Sequence, residues 1–428
     1  MTERSLLRLR VFCAALALLA SLGASHPALA KPAVILLSLD GVRYDYPDRD
    51  VLPAFARLAR DGVRAESLTP VFPSITFPAH TSLATGTHPD RHGIVNNQFR
   101  VTGGKELRYG DTAGALEAEP LWVAAERQGV RAATFFWPLS EADWRGHAPS
   151  YRRAPFDEEL PESAKVEQIL AWLDLPEPER PGLVMSWWHG ADSAGHENGP
   201  DAEATRAALR EQDAELARLI AGIDARKRWS EITLIIVSDH GMLAPEDALD
   251  AQDLLEAAGV AGSAINASAL ALITLDAPGD ADAAARKLAA AEPRIRAIPR
   301  AALPRELRFA HANVGDLVLL AEPPVAFMDA YGKLDLWRIA SSVWGGEVGV
   351  HGYDPEKYPA MRGIFFALGR GAAPAAKLGR VRAIDVAATV ARLLGIAPPA
   401  QNEGTPIAGI GVPAALVSPA SSAASPPR

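Results

Sequence analysis

Two kinds of segment alternate along this chain. Short unbroken runs of aliphatic and β-branched residues occupy positions 33–39, 132–136, 182–188, 232–238 and 364–368. Lacking polar alternation, such runs suit strands buried on both faces of a largely parallel sheet. Between them, residues 51–60, 120–128, 163–173, 202–224 and 384–394 carry apolar side chains at helical spacing and predict amphipathic helices. Strand and helix in turn imply an α/β fold with helices on both faces of a mostly parallel central sheet. The alternation weakens over 243–344, rich in Ala, Asp and Pro, where segments at 269–275, 281–291 and 316–320 predict a small α+β insertion. The Pro-, Ser- and Ala-rich stretch 412–428 is expected to be disordered. No internal repeat is present.

Residues 1–30 read as a targeting segment rather than as part of the fold. Arg4, Arg8 and Arg10 precede an apolar run over 11–23, and Ala28-Leu29-Ala30 forms a small-x-small cleavage site before Lys31. The run is short for a bilayer span, and no second apolar run of about 18 residues follows. The expectation is a cleaved signal peptide and a periplasmic or secreted product with no stable membrane anchor; an uncleaved anchor is the alternative. Cys13, the only cysteine, lies in this segment in a poor context for lipidation. The remainder must therefore draw any metal ligands from His, Asp and Glu.

Composition narrows the partner. With 48% hydrophobic and 22% charged residues the balance is that of an ordinary soluble protein. A formal charge of −9 offers no basic excess for a nucleic-acid duplex. A small anionic ligand would need local positive charge, which a bound metal supplies.

The candidate chemistry sits at strand ends. Asp40 follows the first run, Asp239 and His240 follow the run at 232–238, and Asp192 and His196 lie on the turn after Trp188. Ligands in open α/β sheets gather at the carboxyl ends of strands. Far downstream, His351 stands between Gly349 and Gly352, whose small size permits close backbone approach. Each motif alone is as easily a turn; together they give three Asp and three His, enough nitrogen and oxygen ligands for two zinc-type ions. Thr76, in Ser74-Ile75-Thr76-Phe77-Pro78, precedes a helical stretch beginning near Ala79. It would stand at a helix N-terminus, either as a cap or facing a phosphate oxygen.

These residues, with Asp40-Gly41-Val42-Arg43, Thr85-Gly86, His92 to Asn97, Glu119-Pro120-Leu121-Trp122, Phe135 to Pro138 and His351 to Asp354, resemble the nucleotide pyrophosphatase/phosphodiesterase family of the alkaline phosphatase superfamily. The resemblance runs from about residue 32 to 404. It implies an alkaline-phosphatase-like sandwich, with residues 31–411 as one catalytic domain. It implies one zinc on Asp192, His196 and His351, and a second on Asp40, Asp239, His240 and the Thr76 hydroxyl, other divalent transition metals being possible. Thr76 becomes the nucleophile that forms a covalent intermediate, and Asn97 binds a non-bridging phosphate oxygen. Phe77 and Trp187 fall where the family often stacks a nucleobase, although Trp187 also suits a core or rim position. Three departures stand out: Ala79 where Asn is frequent, no Trp-Trp-Gly-Gly within 100–118, and Trp187 in place of Tyr. The second bears on substrate choice. The implied activity is hydrolysis of a small nucleotide or another phosphodiester. The rivals are a phosphonate hydrolase or phosphomonoesterase of the same superfamily, and a non-catalytic nucleotide-binding protein.

Overall fold

The computed structural model describes residues 31–101, 103–328 and 348–411. The expected signal segment 1–30, the tail 412–428 and positions 329–344 of the insertion lie outside the described residues.

Eight strands form the central sheet: β1 (Ala33–Leu39), β2 (Val63–Ala65), β3 (Ala132–Phe135), β4 (Tyr151–Arg153), β5 (Leu183–Trp188), β6 (Ile232–Val237), β7 (Phe365–Gly369) and β8 (Ala376–Leu378). Their order is β8-β2-β7-β6-β1-β5-β3-β4. β1 lies at the heart of the sheet, parallel to both β5 and β6. Only β7 runs against its neighbours in this sheet, pairing antiparallel with β6 and with β2.

The helices that flank the sheet are α1 (Pro53–Asp61), α2 (Thr76–Thr85), α3 (Leu121–Arg127), α4 (Glu162–Asp174), α5 (Gly190–Asn198), α6 (Glu203–Arg226) and α7 (Asp385–Leu394). Successive strand side chains point to opposite faces, so β1 feeds two cores. Ile35, Leu37 and Leu39 pack with Phe55 and Leu58 of α1, Val166 and Ile169 of α4, and Leu216 and Ile220 of α6. Val34 and Leu36 pack with Leu83 of α2, Trp122 of α3, and Val386 and Val390 of α7. The continuous apolar run at 33–39 thus serves both faces, as its lack of polar alternation requires.

Helix α2 begins at Thr76, three positions earlier than its apolar pattern predicts. Pro78 does not prevent this, because N–H groups of the first turn have no helical acceptor and proline loses nothing there. At the other end Gly86, at φ 70°, turns the chain out of the helix and gives its N–H to Ser82.

Within 243–328, strands Gly262–Ala267, Leu270–Leu275, Leu317–Ala321 and Ile295–Pro299 form, in that order, an antiparallel four-stranded sheet. One face packs on the helix Ala281–Ala291 through Ile273, Leu317 and Leu288. The other presents Leu270, Leu272 and Val318 to Phe72, Ile75 and Phe77, and so backs the segment that carries Thr76.

Candidate active site

Strand register brings the acidic residues together. Ser38 of β1 lies opposite Trp187 of β5 and Val237 of β6. Asp40 and Asp239 each come two residues further on, so alternation carries both toward the side of the sheet covered by α2. Thr76 opens that helix. The turn after β5 leads into α5, whose first turn holds Asp192 and whose last holds His196. His351 is anchored to the segment before Thr76 by its Nδ1, 2.9 Å from the Ser74 carbonyl oxygen.

The six side chains fall into two groups, Asp192 with His196 and His351, and Asp40 with Asp239 and His240; within each, the ligand atoms lie within 4.8 Å of one another. The imidazoles are oriented from behind. His196 Nδ1 lies 2.8 Å from the Gly349 carbonyl oxygen and His240 Nδ1 lies 3.0 Å from that of Gly241, matching His351 on Ser74. Each ring therefore donates through Nδ1–H and keeps the Nε2 lone pair for the site. His196 Nε2 and His351 Nε2 converge to 3.1 Å.

The carboxylates tell the same story by their unmet needs. Asp40 Oδ1, Asp192 Oδ1 and Asp239 Oδ2 are buried without a hydrogen-bond partner among the described residues. Buried polar atoms are ordinarily paired. Burial first, then the negative charges of Asp239 and Asp192, raises the Asp40 carboxyl well above its usual range. Burial and Asp192 push Asp239 up to about 8. The imidazoles of His240 and His351 are held well below their ordinary value, chiefly by burial. Neutral imidazoles and crowded carboxylates with orphaned oxygens form a donor set suited to divalent cations.

Two glycines make the crowding possible. Gly41, at φ 67°, would place a Cβ 2.8 Å from Asp192 Oδ1, and its N–H donates to Asp239 Oδ1 at 3.2 Å. A Cβ on Gly349 would meet Met242 Sδ at 2.0 Å.

Thr76 is not a cap. Ile75 occupies the N-cap position and makes no side-chain cap. The Thr76 hydroxyl instead lies 3.3 Å from His240 Nε2. Asn97 Oδ1 accepts the Phe77 N–H at 2.9 Å, which leaves the amide NH₂ of Asn97 to donate elsewhere.

A cavity of about 880 Å³ opens over these groups, lined among others by Asp40, Thr76, Phe77, Asn97, Trp187, Asp192, His196 and His351. Asp239 and His240 lie behind that lining, fully buried. The segment 100–118 contributes Arg108, Tyr109, Gly110 and Asp111 to the wall, with Tyr109 edge-on to Phe77 at 5.9 Å between ring centroids. Trp187 has a different engagement from the one expected. It is only 9% exposed, and its indole N–H donates to Asp40 Oδ2 at 2.7 Å. An aromatic available in the cavity, besides Tyr109, is Phe156, 43% exposed and 4.7 Å from Trp187. Sequence reasoning missed Phe156, because a single aromatic in a polar loop carries no periodic signal.

The chain is similar to known proteins in sequence and in fold. The family described as type I phosphodiesterase / nucleotide pyrophosphatase matches residues 34–354. An ectonucleotide pyrophosphatase/phosphodiesterase of Caenorhabditis elegans is 30% identical over 391 residues, covering 88% of this chain and 44% of its own length. An uncharacterised pyrophosphatase/phosphodiesterase of Schizosaccharomyces pombe is 39% identical over 222 residues, 50% of this chain and 45% of its own. The chain thus spans less than half the length of these curated relatives. Among solved structures, human ectonucleotide pyrophosphatase/phosphodiesterase 5 superposes with a TM-score of 0.78 at 24% identity, covering 87% of this chain and 97% of that one. The murine protein, in an inactive form in complex with AMP, gives 0.76 at 24% identity, with coverage of 86% and 96%. The shared fold is the alkaline-phosphatase-like sandwich.

Proposed function

Since this chain belongs to the type I phosphodiesterase / nucleotide pyrophosphatase family, we propose that it is an exported two-zinc hydrolase of nucleotide-type phosphodiester or pyrophosphate bonds, acting through a covalent intermediate on Thr76. The observation that carries this reading is the Thr76 hydroxyl, without a capping role and 3.3 Å from His240 Nε2, beside two groups of candidate metal ligands. Asp192, His196 and His351 would hold one zinc, and Asp40, Asp239 and His240 the other. Bound there, the cations would lower the pKa of the Thr76 hydroxyl and offset charge on the phosphoryl oxygens.

The chain's own residues do the rest. Thr76 Oγ1 attacks phosphorus in line, the bond to the leaving oxygen breaks, and a threonyl ester forms. Water then attacks the same phosphorus and releases Thr76. Two in-line displacements retain configuration overall. The Asn97 amide, tied down by the Phe77 N–H, offers a neutral donor to a non-bridging oxygen, which suits the single negative charge of a diester. Arg108 and Arg153 line the same cavity but are engaged by Glu106 and Gln168. A monoester dianion would call for a stronger charge-assisted clamp beside Thr76. Phe156 and Tyr109, 43% and 61% exposed, line the cavity and supply faces for a nucleobase, with Phe77, 6% exposed, edge-on behind Tyr109. The AMP complex of the murine relative supports a nucleotide as the ligand class. Among the described residues no helix is long and apolar enough to cross a membrane.

A substrate panel tests the proposal: p-nitrophenyl thymidine 5′-phosphate, bis-p-nitrophenyl phosphate, p-nitrophenyl phosphate and phosphonoacetate. The nucleotide diester is expected to give the highest kcat/KM. A monoester or phosphonate at the head of the ranking would overturn the assignment, and absence of turnover on all four would favour a binding protein.

A further inference from the structure

Trp187 is held by four neighbours. Its ring packs 4.7 Å from Phe156, and His80 stands edge-on at 5.9 Å. Its indole N–H donates to Asp40 Oδ2 at 2.7 Å. Its carbonyl oxygen accepts from Lys165 Nζ at 3.1 Å, an amine buried within α4 above the Phe136 ring. The arrangement follows from the ladder. Ser38 and Trp187 face each other across β1 and β5, and the Asp40 N–H still bonds the Trp188 carbonyl one step beyond the strand. Asp40 is thereby brought level with the indole edge. One of its oxygens is engaged, while Oδ1, 3.4 Å from His240 Nε2, is buried without a hydrogen-bond partner among the described residues.

We propose that Lys165 and Trp187 are positioning residues for the cation site of Asp40, Asp239 and His240. Lys165 fixes the end of β5, and Trp187 fixes the rotamer of Asp40 so that Oδ1 is the ligand atom. The proposal rests on the two-cation reading above. A neutral N–H on the outer oxygen holds the carboxylate in place without neutralising it, which leaves its charge to the cation. Partners behind a metal ligand typically contribute about 10–100-fold in affinity. The role also accounts for a tryptophan at this position: with its edge on Asp40 and little of its ring exposed, Trp187 has no open face for a base.

The test reads zinc binding directly, by competition with a chromophoric chelator on the purified protein. Wild type is expected to hold two zinc ions per chain. Trp187→Phe should weaken one of them by about 10–100-fold and leave the other unchanged. Trp187 replaced by 3-benzothienylalanine, which keeps the ring shape but has sulfur in place of the N–H, should do the same; it decides the matter if Trp187→Phe fails to fold. Lys165→Met should weaken the same ion by less. Unchanged affinities in the benzothienyl protein, or equal weakening of both ions, would overturn the positioning role. Wild type holding fewer than two ions would instead overturn the two-cation reading itself.

Discussion

Thr76 separates chemistry from stability unusually well for a residue at a helix start. Its side chain closes no turn, so Thr76→Ala is not expected to lose the roughly 1 kcal/mol that a cap contributes. It should lose at least about 10³-fold in kcat at an unchanged melting temperature, with Thr76→Ser retaining part of the activity. Near-normal turnover by Thr76→Ala would reject the covalent route. Phe156 invites a different measurement. A base stacked on one aromatic contributes about 1–3 kcal/mol. Phe156→Ala should therefore raise KM for nucleotide diesters about tenfold and leave a small methyl diester untouched, because contacts remote from phosphorus act on ground and transition states alike. Equal damage to both substrates would make Phe156 structural. The contrast between these residues also explains what the sequence discloses. Asp40, Asp239 and His240 end long apolar runs and Asp192 and His196 follow another, so each stands in a readable context, although the turn expected around 192–196 is the helix α5. Phe156 stands in none, and the bond from Trp187 to Asp40 arises from strand register between segments 147 positions apart.

At the scale of elements, legibility follows length. The runs behind β1, β3, β5, β6 and β7 are four to seven residues long and apolar throughout or nearly so, and sequence alone finds all five. The strands of the central sheet it misses, β2, β4 and β8, have three residues each with a charged residue at the centre, Arg64, Arg152 and Lys377. They become strands because a neighbour offers hydrogen bonds, not because their pattern demands it. Helix α4 carries a testable consequence of its packing. Burial lowers the Lys165 amine from its ordinary 10.5 to about 8, with Glu162 opposing the shift. A lysine whose folded pKa is depressed contributes stability that is present above its unfolded pKa and lost as pH falls through the folded one. Raising the pH from 8 to 10 should therefore increase the melting temperature of wild type relative to Lys165→Met. A difference independent of pH over that window would show the amine to be solvated.

For the molecule as a whole, the candidate ligands are drawn from positions 40 to 351 and fasten β1, β6, α5 and the segment before β7 to one another. Cations binding there would stabilise the entire fold by mass action, by about 4 kcal/mol per ion at a thousandfold excess over Kd. Treatment with a chelator should accordingly lower the melting temperature by several degrees, and added zinc should restore it. A melting curve indifferent to both would count against resident metal. The position of β7 has a consequence of another kind, in time. β2 is made early, yet its neighbours in the sheet are β7 and β8; Val63 waits for Ala367, roughly 300 residues later. Pairings so distant in sequence close slowly. While the chain is being synthesised, one edge of the sheet stays unfinished until its last quarter emerges, and the nascent protein must be shielded from stray strand pairing until then.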